Sequence, residues 1–166
     1  MLKKLPRLVF KFYFHTLMKA SSFFSKEQQA QILAAVKEAE METSGEVRVH
    51  IESSLKADVL DRAAWLFKKL GMDKTAERNG VLFYLAVSDR KFAIIGDAGI
   101  NAKVTTTFWD EVSLLLQKNF KEGKFTEGLS EGIIHAGLQL KTHFPHRIDD
   151  VNELPDEISF NKIKGK

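Results

Sequence analysis

Between Ser44 and Asn101, the pattern of hydrophobic and polar residues predicts a strand, a helix and two further strands. From Glu46 to Glu52 polar and apolar residues alternate strictly, which is typical of a strand with one buried face. From Val81 to Val87 the only polar group is a tyrosine hydroxyl, which indicates a central strand that is buried on both faces. A third, shorter strand is predicted from Phe92 to Gly96.

The lengths of two connections set the directions of these strands. About thirty residues, with a helix predicted over Asp58 to Leu70, join the first two strands and allow a right-handed crossover between parallel strands. The turn residues Ser88 to Lys91 join the second and third strands, which must therefore be antiparallel. The predicted fold class is α/β: a three-layer α/β/α sandwich with a small mixed sheet, in which a β-α-β crossover is followed by a β-hairpin and helices cover both faces.

Helices are also predicted on either side of this unit. One begins at Ser25, where Ser25 and Gln28 have the spacing of a capping box. After the third strand, residues 98–101 are expected to form a loop. Two more helices follow, one through Phe120 and one from about 126 to 142, each with an apolar stripe at helical spacing.

Positive charge is concentrated at the N-terminus. Residues 1–26 contain six Lys and Arg and no acidic residue, whereas 19 of the 25 basic residues and all 22 acidic residues lie in the rest of the chain. The body is therefore mildly acidic, which argues against nucleic-acid binding because that requires a basic face. We divide the chain into a basic amphipathic extension (1–24), a domain (25–145) and an acidic, polar tail (146–166). Without cysteine, disulfides and thiolate ligands are excluded.

The N-terminal extension has the pattern of a helix that lies in an anionic membrane interface. Apolar residues, among them Phe10 and Phe14, surround a cationic stripe that consists of Lys4, Arg7, Lys11, His15 and Lys19. Alternatively, the apolar side packs on the domain or on a second copy. The segment lacks a convincing cleavage site and is too short and too charged to span a bilayer, so we expect neither a cleavable signal peptide nor a transmembrane span.

The predicted strand directions bring polar residues together at one edge of the sheet. Because the third strand runs back, its end lies beside the starts of the first two strands, which places Glu46, Asn79 and Asp97 at the same edge. Asn101 and Asp110 follow closely and could reach it. The surrounding loops are rich in glycine, with Gly45, Gly80, Gly96 and Gly99.

Oxygen ligands among flexible glycine-rich loops suit Ca²⁺, and Mg²⁺ less well. We therefore predict a metal site with the ligands Glu46, Asp97, Asn101 and Asp110, framed by the loop residues Gly45, Asn79, Gly80, Gly96 and Gly99. Two alternatives remain open: the carboxylates of Glu46 and Asp97 are ordinary solvated strand ends, or they pair with Arg78 or Lys103. His50, on the polar side of the first strand, is expected to make a structural hydrogen bond rather than to bind metal.

Four sequence motifs within residues 25–145 resemble those of the TPM-domain family. They are Thr43-Ser44-Gly45-Glu46-Val47-Arg48-Val49, Arg78-Asn79-Gly80-Val81-Leu82, Gly96-Asp97-x-Gly99-Ile100 and Phe120-x-x-Gly123-x-Phe125-x-x-Gly128. The family includes thylakoid-lumen acid-phosphatase-like proteins involved in photosystem II repair and many bacterial proteins of unassigned role. The resemblance implies an α/β/α sandwich with a divalent-ion site, usually Ca²⁺, at this loop edge, in a small stand-alone bacterial member.

The resemblance gives only weak support for phosphatase activity in this chain. Many members have an acidic residue in the loop after the glycine motif, whereas the stretch from Val104 to Thr107 has no carboxylate and the next is Asp110. We therefore expect a non-enzymatic, Ca²⁺-binding accessory or maintenance module in the cytoplasm, peripheral to the inner membrane, whose partner is an anionic membrane surface or a membrane protein. The alternatives are a weak metal-dependent acid phosphatase and a protein-interaction adaptor that docks through the N-terminal helix.

Overall fold

A computed structural model describes residues 19–161. In chain order the elements are α1 (Ala20–Phe23), α2 (Lys26–Glu40), β1 (Glu46–Glu52), α3 (Val59–Lys69), a 3-10 turn (Met72–Lys74), β2 (Gly80–Ala86), β3 (Lys91–Gly96), α4 (Ala98–Asn101), α5 (Phe108–Lys121), α6 (Phe125–His143) and β4 (Ile158–Phe160).

The strands form one mixed sheet in the order β3-β2-β1-β4. β1 is parallel to β2 and to β4, and β2 is antiparallel to β3, which confirms the predicted crossover and hairpin. Glu46 lies opposite Gly80, and Val81 lies opposite Gly96. The start of β1, the start of β2 and the end of β3 therefore share one edge of the sheet, as the sequence predicts.

Two apolar cores make this a three-layer sandwich. On one face of the sheet Val47, Val49 and Ile51 pack with α2, α5 and α6. On the other face Leu82 and Tyr84 pack with α3. Every residue of β2 is buried, which confirms a central strand. The predicted α/β/α fold class is therefore confirmed.

Helix α2 begins where the sequence predicts, with Ser25 as its N-cap. The side chain of Ser25 accepts a hydrogen bond from the backbone N–H of Gln28, and the side chain of Gln28 accepts one from the backbone N–H of Ser25. This reciprocal capping box satisfies two N–H groups that the first turn of α2 would otherwise leave without a partner. None of the helices within residues 19–161 combines the length and apolar character needed to cross a bilayer.

Two elements differ from the expectation. Residues 98–101 are a single helical turn rather than a loop, because the Asp97 side chain accepts a hydrogen bond from the backbone N–H of Ala98 and caps it. The C-terminal tail adds β4 to the sheet, where Ile158, Ser159 and Phe160 pair with the middle of β1. β1 is therefore an interior strand, and all of its polar side chains are buried.

Candidate metal centre

A cleft of about 250 Å³ opens at the start of β1, between the C-terminal end of α2 and the tail that follows α6. The backbone around Ser44 and Gly45 forms part of its wall. The ionisable residues that line it are Lys37, Glu40, Glu46, His146, Asp150 and Asp156. Carboxyl groups from a helix, a strand and the tail therefore face one space.

Glu46 is the most deeply buried carboxyl group of this cleft, with only 3% of the residue exposed. Its Oε1 accepts a hydrogen bond from the backbone N–H of Glu153 at 2.7 Å. Its Oε2 is buried and has no hydrogen-bond partner within residues 19–161. Burial raises the pKa of Glu46 to about 7; the Glu153 N–H opposes this rise, and the carboxylates of Glu153 and Asp156 add to it.

Glu40, which ends α2, is the second carboxyl group that lines the cleft, and it is half-buried. Its Oε1 accepts a hydrogen bond from the backbone N–H of Val47 at 2.6 Å, and its carboxyl group lies within hydrogen-bonding reach of Asp156. Burial raises the pKa of Glu40 to about 8, with smaller contributions from Glu46 and Asp156.

The tail is held on both sides of Asp156, which keeps this carboxyl group at the cleft. Before it, the Glu153 carboxylate accepts a hydrogen bond from the backbone N–H of Ala76, with a distance of 3.1 Å to Oε2. After it, Glu157 forms an ion pair with Arg48, whose Nη2 lies 3.2 Å from Oε1. The tail thus supplies one acidic wall of the cleft.

Asp97 lies at the same sheet edge as Glu46, but its oxygens are engaged within the protein. Gly80 separates the two carboxylate-bearing residues across the strands, so their Cα atoms lie about 10 Å apart. Arg78 Nε lies 2.6 Å from Asp97 Oδ2, and Arg78 Nη2 lies 2.8 Å from Oδ1. Oδ1 also accepts a hydrogen bond from the backbone N–H of Ala98 at 2.8 Å. Of the two pairing alternatives, the structure shows the one with Arg78.

Asn101 is likewise engaged inside the protein. Its Nδ2 donates to the carbonyl of Gly96 at 2.6 Å, and its Oδ1 accepts a hydrogen bond from Trp109 Nε1 at 2.7 Å. The Asn101 side chain therefore joins the end of β3 to α5. Asp110 is half-buried in the first turn of α5, one residue beyond Trp109. The structure thus gives Glu46 and Asp97 different surroundings and places Asn101 in a bridge between elements.

The glycine-rich loops keep this edge compact. A Cβ on Gly45 would lie 2.7 Å from the side chain of Leu140, and one on Gly96 would lie 2.6 Å from the ring of Trp109. Asn79 is fully buried, and its Nδ2 donates to the Ser44 hydroxyl at 3.1 Å. Asn79 Oδ1 is a second buried oxygen at this edge that has no hydrogen-bond partner within the described part of the chain.

The predicted ligands are therefore not gathered into one cluster. Within residues 19–161, no three His, Cys, Asp or Glu side chains already surround a position for a metal ion. Sequence reasoning missed Glu40 and Asp156, the two carboxyl groups that face Glu46 in the cleft. An acidic patch in the tail was visible in the sequence, but no periodicity indicated which of its members would return to β1.

A second polar cluster lies at the opposite end of β1, and its side chains form hydrogen bonds with one another and with neighbouring strands and helices. His50 is fully buried, and its Nδ1 lies 2.7 Å from Ser159 Oγ, as expected for a histidine that makes a hydrogen bond. The Glu52 carboxylate accepts hydrogen bonds from Arg62 and from the hydroxyl of Tyr84 at 2.7 Å. Burial alone would raise the pKa of Glu52, but the nearby His50 ring, whose Nε2 lies 3.5 Å from Oε1, and the hydrogen bonds from Arg62 and Tyr84 outweigh it and hold the pKa at about 2.

Replacement of Arg78 with methionine should lower the free energy of unfolding, because the buried Asp97 carboxylate loses both guanidinium hydrogen bonds, and the loss should be modest because half of the Arg78 side chain is solvent-exposed. Lys103→Met changes the charge equally and serves as the control, since the structure shows no pairing between Lys103 and Asp97. Urea unfolding of both variants tests this assignment. Equal losses in the two variants would contradict it.

A mixed sheet with helices on both faces and a polar edge of glycine-rich loops defines a small α/β/α sandwich domain with a candidate cation cleft. The family model of the TPM domain matches residues 17–137, and the chain belongs to this family. No curated protein matches the chain.

Solved structures share this fold. The NMR structure of BA42 protein from the psychrophilic bacterium Bizionia argentinensis is 45% identical, with a TM-score of 0.79, and the match covers 86% of this chain and 99% of that one. The N-terminal domain of a protein from P. gingivalis is 21% identical, with a TM-score of 0.61, and the match covers 78% of this chain and 85% of that domain. The N-terminal domain of cg2496 from Corynebacterium glutamicum is 12% identical, with a TM-score of 0.58, and the match covers 96% and 98%. The last two show the fold alone.

Proposed function

We propose that this TPM domain is an accessory module that binds a divalent cation, preferentially Ca²⁺, in the acidic cleft at the start of β1. The observation that carries the proposal is Glu46 Oε2, a buried carboxylate oxygen without a hydrogen-bond partner among the described residues, in a cleft lined by further carboxyl groups. A buried carboxylate is costly unless it is protonated or paired with a cation. A bound cation would offset this cost.

The donor set fits Ca²⁺ better than Mg²⁺. Glu46, Glu40 and Asp156 would hold the ion, and all three supply the oxygen ligands that hard cations prefer. Calcium tolerates irregular coordination completed by carbonyl groups and water, whereas Mg²⁺ demands near-octahedral geometry. When bound, the ion would neutralise the carboxyl groups that α2, β1 and the tail direct toward one another. The proposed role is therefore binding and stabilisation rather than catalysis.

The proposed place of action is the surface of the inner membrane, on the cytoplasmic side. The support is the concentration of Lys and Arg in residues 1–26, next to a body that is mildly acidic. Lys4, Arg7, Phe10, Lys11 and Phe14, which are predicted to contact the membrane, lie outside the residues that the structure describes. Lys19 is the first described residue and is exposed. An anionic bilayer or a membrane protein is the proposed partner.

Calcium titration of the full chain tests the cation site. Binding to the folded state alone raises its stability by about 2.7 kcal/mol when the free ion reaches a hundred times the dissociation constant. For a domain of this size, this corresponds to a rise in Tm of about 5–10 °C. Asp156→Asn should remove most of this rise, because it removes one proposed carboxylate ligand.

Asp110→Asn is the matched control, because it makes the same change in charge on α5, away from the cleft. It should keep the calcium response of the wild type. A wild-type Tm that does not change with Ca²⁺, or equal responses of Asp156→Asn and Asp110→Asn, would contradict the proposed site. Chemical-shift changes in the NMR spectrum should centre on Glu40, Glu46 and Asp156.

A further inference from the structure

The two ends of the sandwich differ in charge. The cleft end presents the acidic wall described above. We define the hairpin end as the opposite end of the sheet, around the turn between β2 and β3. Its basic residues within the described chain include Lys19, Lys26, Lys56, Arg90, Lys91, Lys121 and Lys124, and the acidic residues near them include Glu27, Asp58, Asp61, Asp89 and Glu122, of which Glu122 pairs with Lys124.

Aromatic rings hold the elements of the hairpin end together. The ring centroids of Phe23 and Phe125 lie 5.2 Å apart, and those of Phe92 and Phe120 lie 5.5 Å apart. These rings line a shallow apolar depression, which Arg90 and Lys91 also border. An apolar floor with a cationic rim has the chemistry of a surface that meets lipid headgroups.

The basic N-terminal extension joins the body at this same end. The backbone N–H of Ala20 donates to the hydroxyl of Ser53 at 2.8 Å, just beyond the end of β1. Residues 1–18 therefore continue from a point beside the hairpin end. The extension and the rim of the depression are both positively charged, so they repel each other. An anionic partner would attract both.

We propose that the hairpin end docks on an anionic lipid bilayer, with the cation cleft directed away from the membrane. This inference rests on the proposed membrane-surface role and specifies which face of the domain makes the contact. The seven residues of β1 separate the two ends by about 23 Å. This distance exceeds the Debye length of about 10 Å in ordinary buffers, so the bilayer acts on the charges of the hairpin end and little on those of the cleft end.

A pair of charge-reversal variants of the full chain tests the docking face. Lys26→Glu with Lys91→Glu reverses two charges at the hairpin end. Lys74→Glu with Lys103→Glu makes the same change in net charge at the cleft end, where the 3-10 turn packs on Gly80 and Lys103 follows α4. Binding is measured by flotation with phosphatidylcholine vesicles that contain about 30% phosphatidylserine, and with phosphatidylcholine alone.

The hairpin-end pair should bind the anionic vesicles at least about tenfold more weakly than the wild type, because two charges that attract the anionic surface are replaced by two that repel it. The cleft-end pair should bind within about twofold of the wild type. Equal weakening by both pairs, no weakening by the hairpin-end pair, or equal wild-type binding to both vesicle types would overturn the docking face. A wild-type chain that binds neither vesicle would overturn it together with the membrane-surface role, while the calcium titration would still decide the cation site.

A second measurement uses only the wild-type protein, so its result does not depend on whether a variant folds. With wild-type protein on vesicles that carry a spin-labelled lipid, the NMR signals of Phe23, Lys91 and Lys124 should broaden strongly. Those of Glu46 and Asp156 should broaden much less. The reverse pattern would overturn the proposed orientation.

Discussion

Replacement of Gly99 with alanine is expected to destabilise the domain by more than about 3 kcal/mol. A Cβ at this position would lie 2.1 Å from the carbonyl oxygen of Glu77 and 2.7 Å from that of Arg78. Both are backbone atoms, and the Gly99 N–H is itself hydrogen-bonded to the Arg78 carbonyl at 2.8 Å. Relief of the clash would therefore separate α4 from the loop that carries Arg78 and Asn79.

Gly71→Ala provides the control for this prediction. Gly71 has a positive φ of 72°, but apart from Gly71 itself and its two chain neighbours no atom of residues 19–161 lies within 4 Å of the position of an added Cβ. Its substitution should cost only about 1 kcal/mol, from the strained backbone conformation. Urea unfolding of the two variants gives both values. Similar costs would show that close approach is not the reason for glycine at position 99.

Replacement of Glu46 with glutamine is expected to raise the free energy of unfolding by about 3 kcal/mol at about pH 8 in the absence of Ca²⁺. The pKa of Glu46 is about 7 in the folded protein, against an ordinary value of 4.5. The folded state therefore holds this proton more tightly than the unfolded state. The stability that protonation provides is complete below the unfolded pKa and is lost as the pH rises through about 7. Glutamine removes this loss because it does not ionise.

Urea unfolding at about pH 5 and about pH 8, with a chelator present, measures this effect. The free energies of unfolding of the wild type and Glu46→Gln should differ by less than about 1 kcal/mol at the lower pH and by about 3 kcal/mol at the higher one. The variant should keep part of the wild-type pH dependence, because the pKa of Glu40 is also raised, to about 8. Asp110→Asn should follow the wild type at both values. Parallel pH profiles for the wild type and Glu46→Gln would contradict the assignment.

The polar edge of the sheet could be predicted from the sequence because two local features determine it. The strict alternation from Glu46 to Glu52 fixes which residues of β1 share a face, and the short turn after β2 fixes the direction of β3. Together with the long crossover, they place Glu46, Gly80 and Asp97 in one row across three strands. No knowledge of side-chain packing is needed for this step.

The partners and the burial of each carboxyl group at that edge could not be predicted in the same way. Asp97 has two candidate cations, Arg78 well before it in the sequence and Lys103 shortly after it, and the backbone path of the loop before β2 places Arg78 against it. Glu40 ends a helix and resembles a solvent-exposed residue, and its partial burial depends on a tail that returns from more than a hundred residues away. β4 has only three residues, which is too short for a periodic pattern to reveal its register.

The origin of Asp156 has a consequence for relatives of this protein. The match to the TPM domain ends at residue 137, whereas Asp156 and the Glu153 backbone N–H that meet Glu46 come from the segment beyond it. Members of the family that carry a different C-terminal segment would keep the same sandwich and lose or exchange these groups. If the proposed cation site exists, its affinity would therefore diverge between species through the C-terminal segment, without any substitution in the shared core.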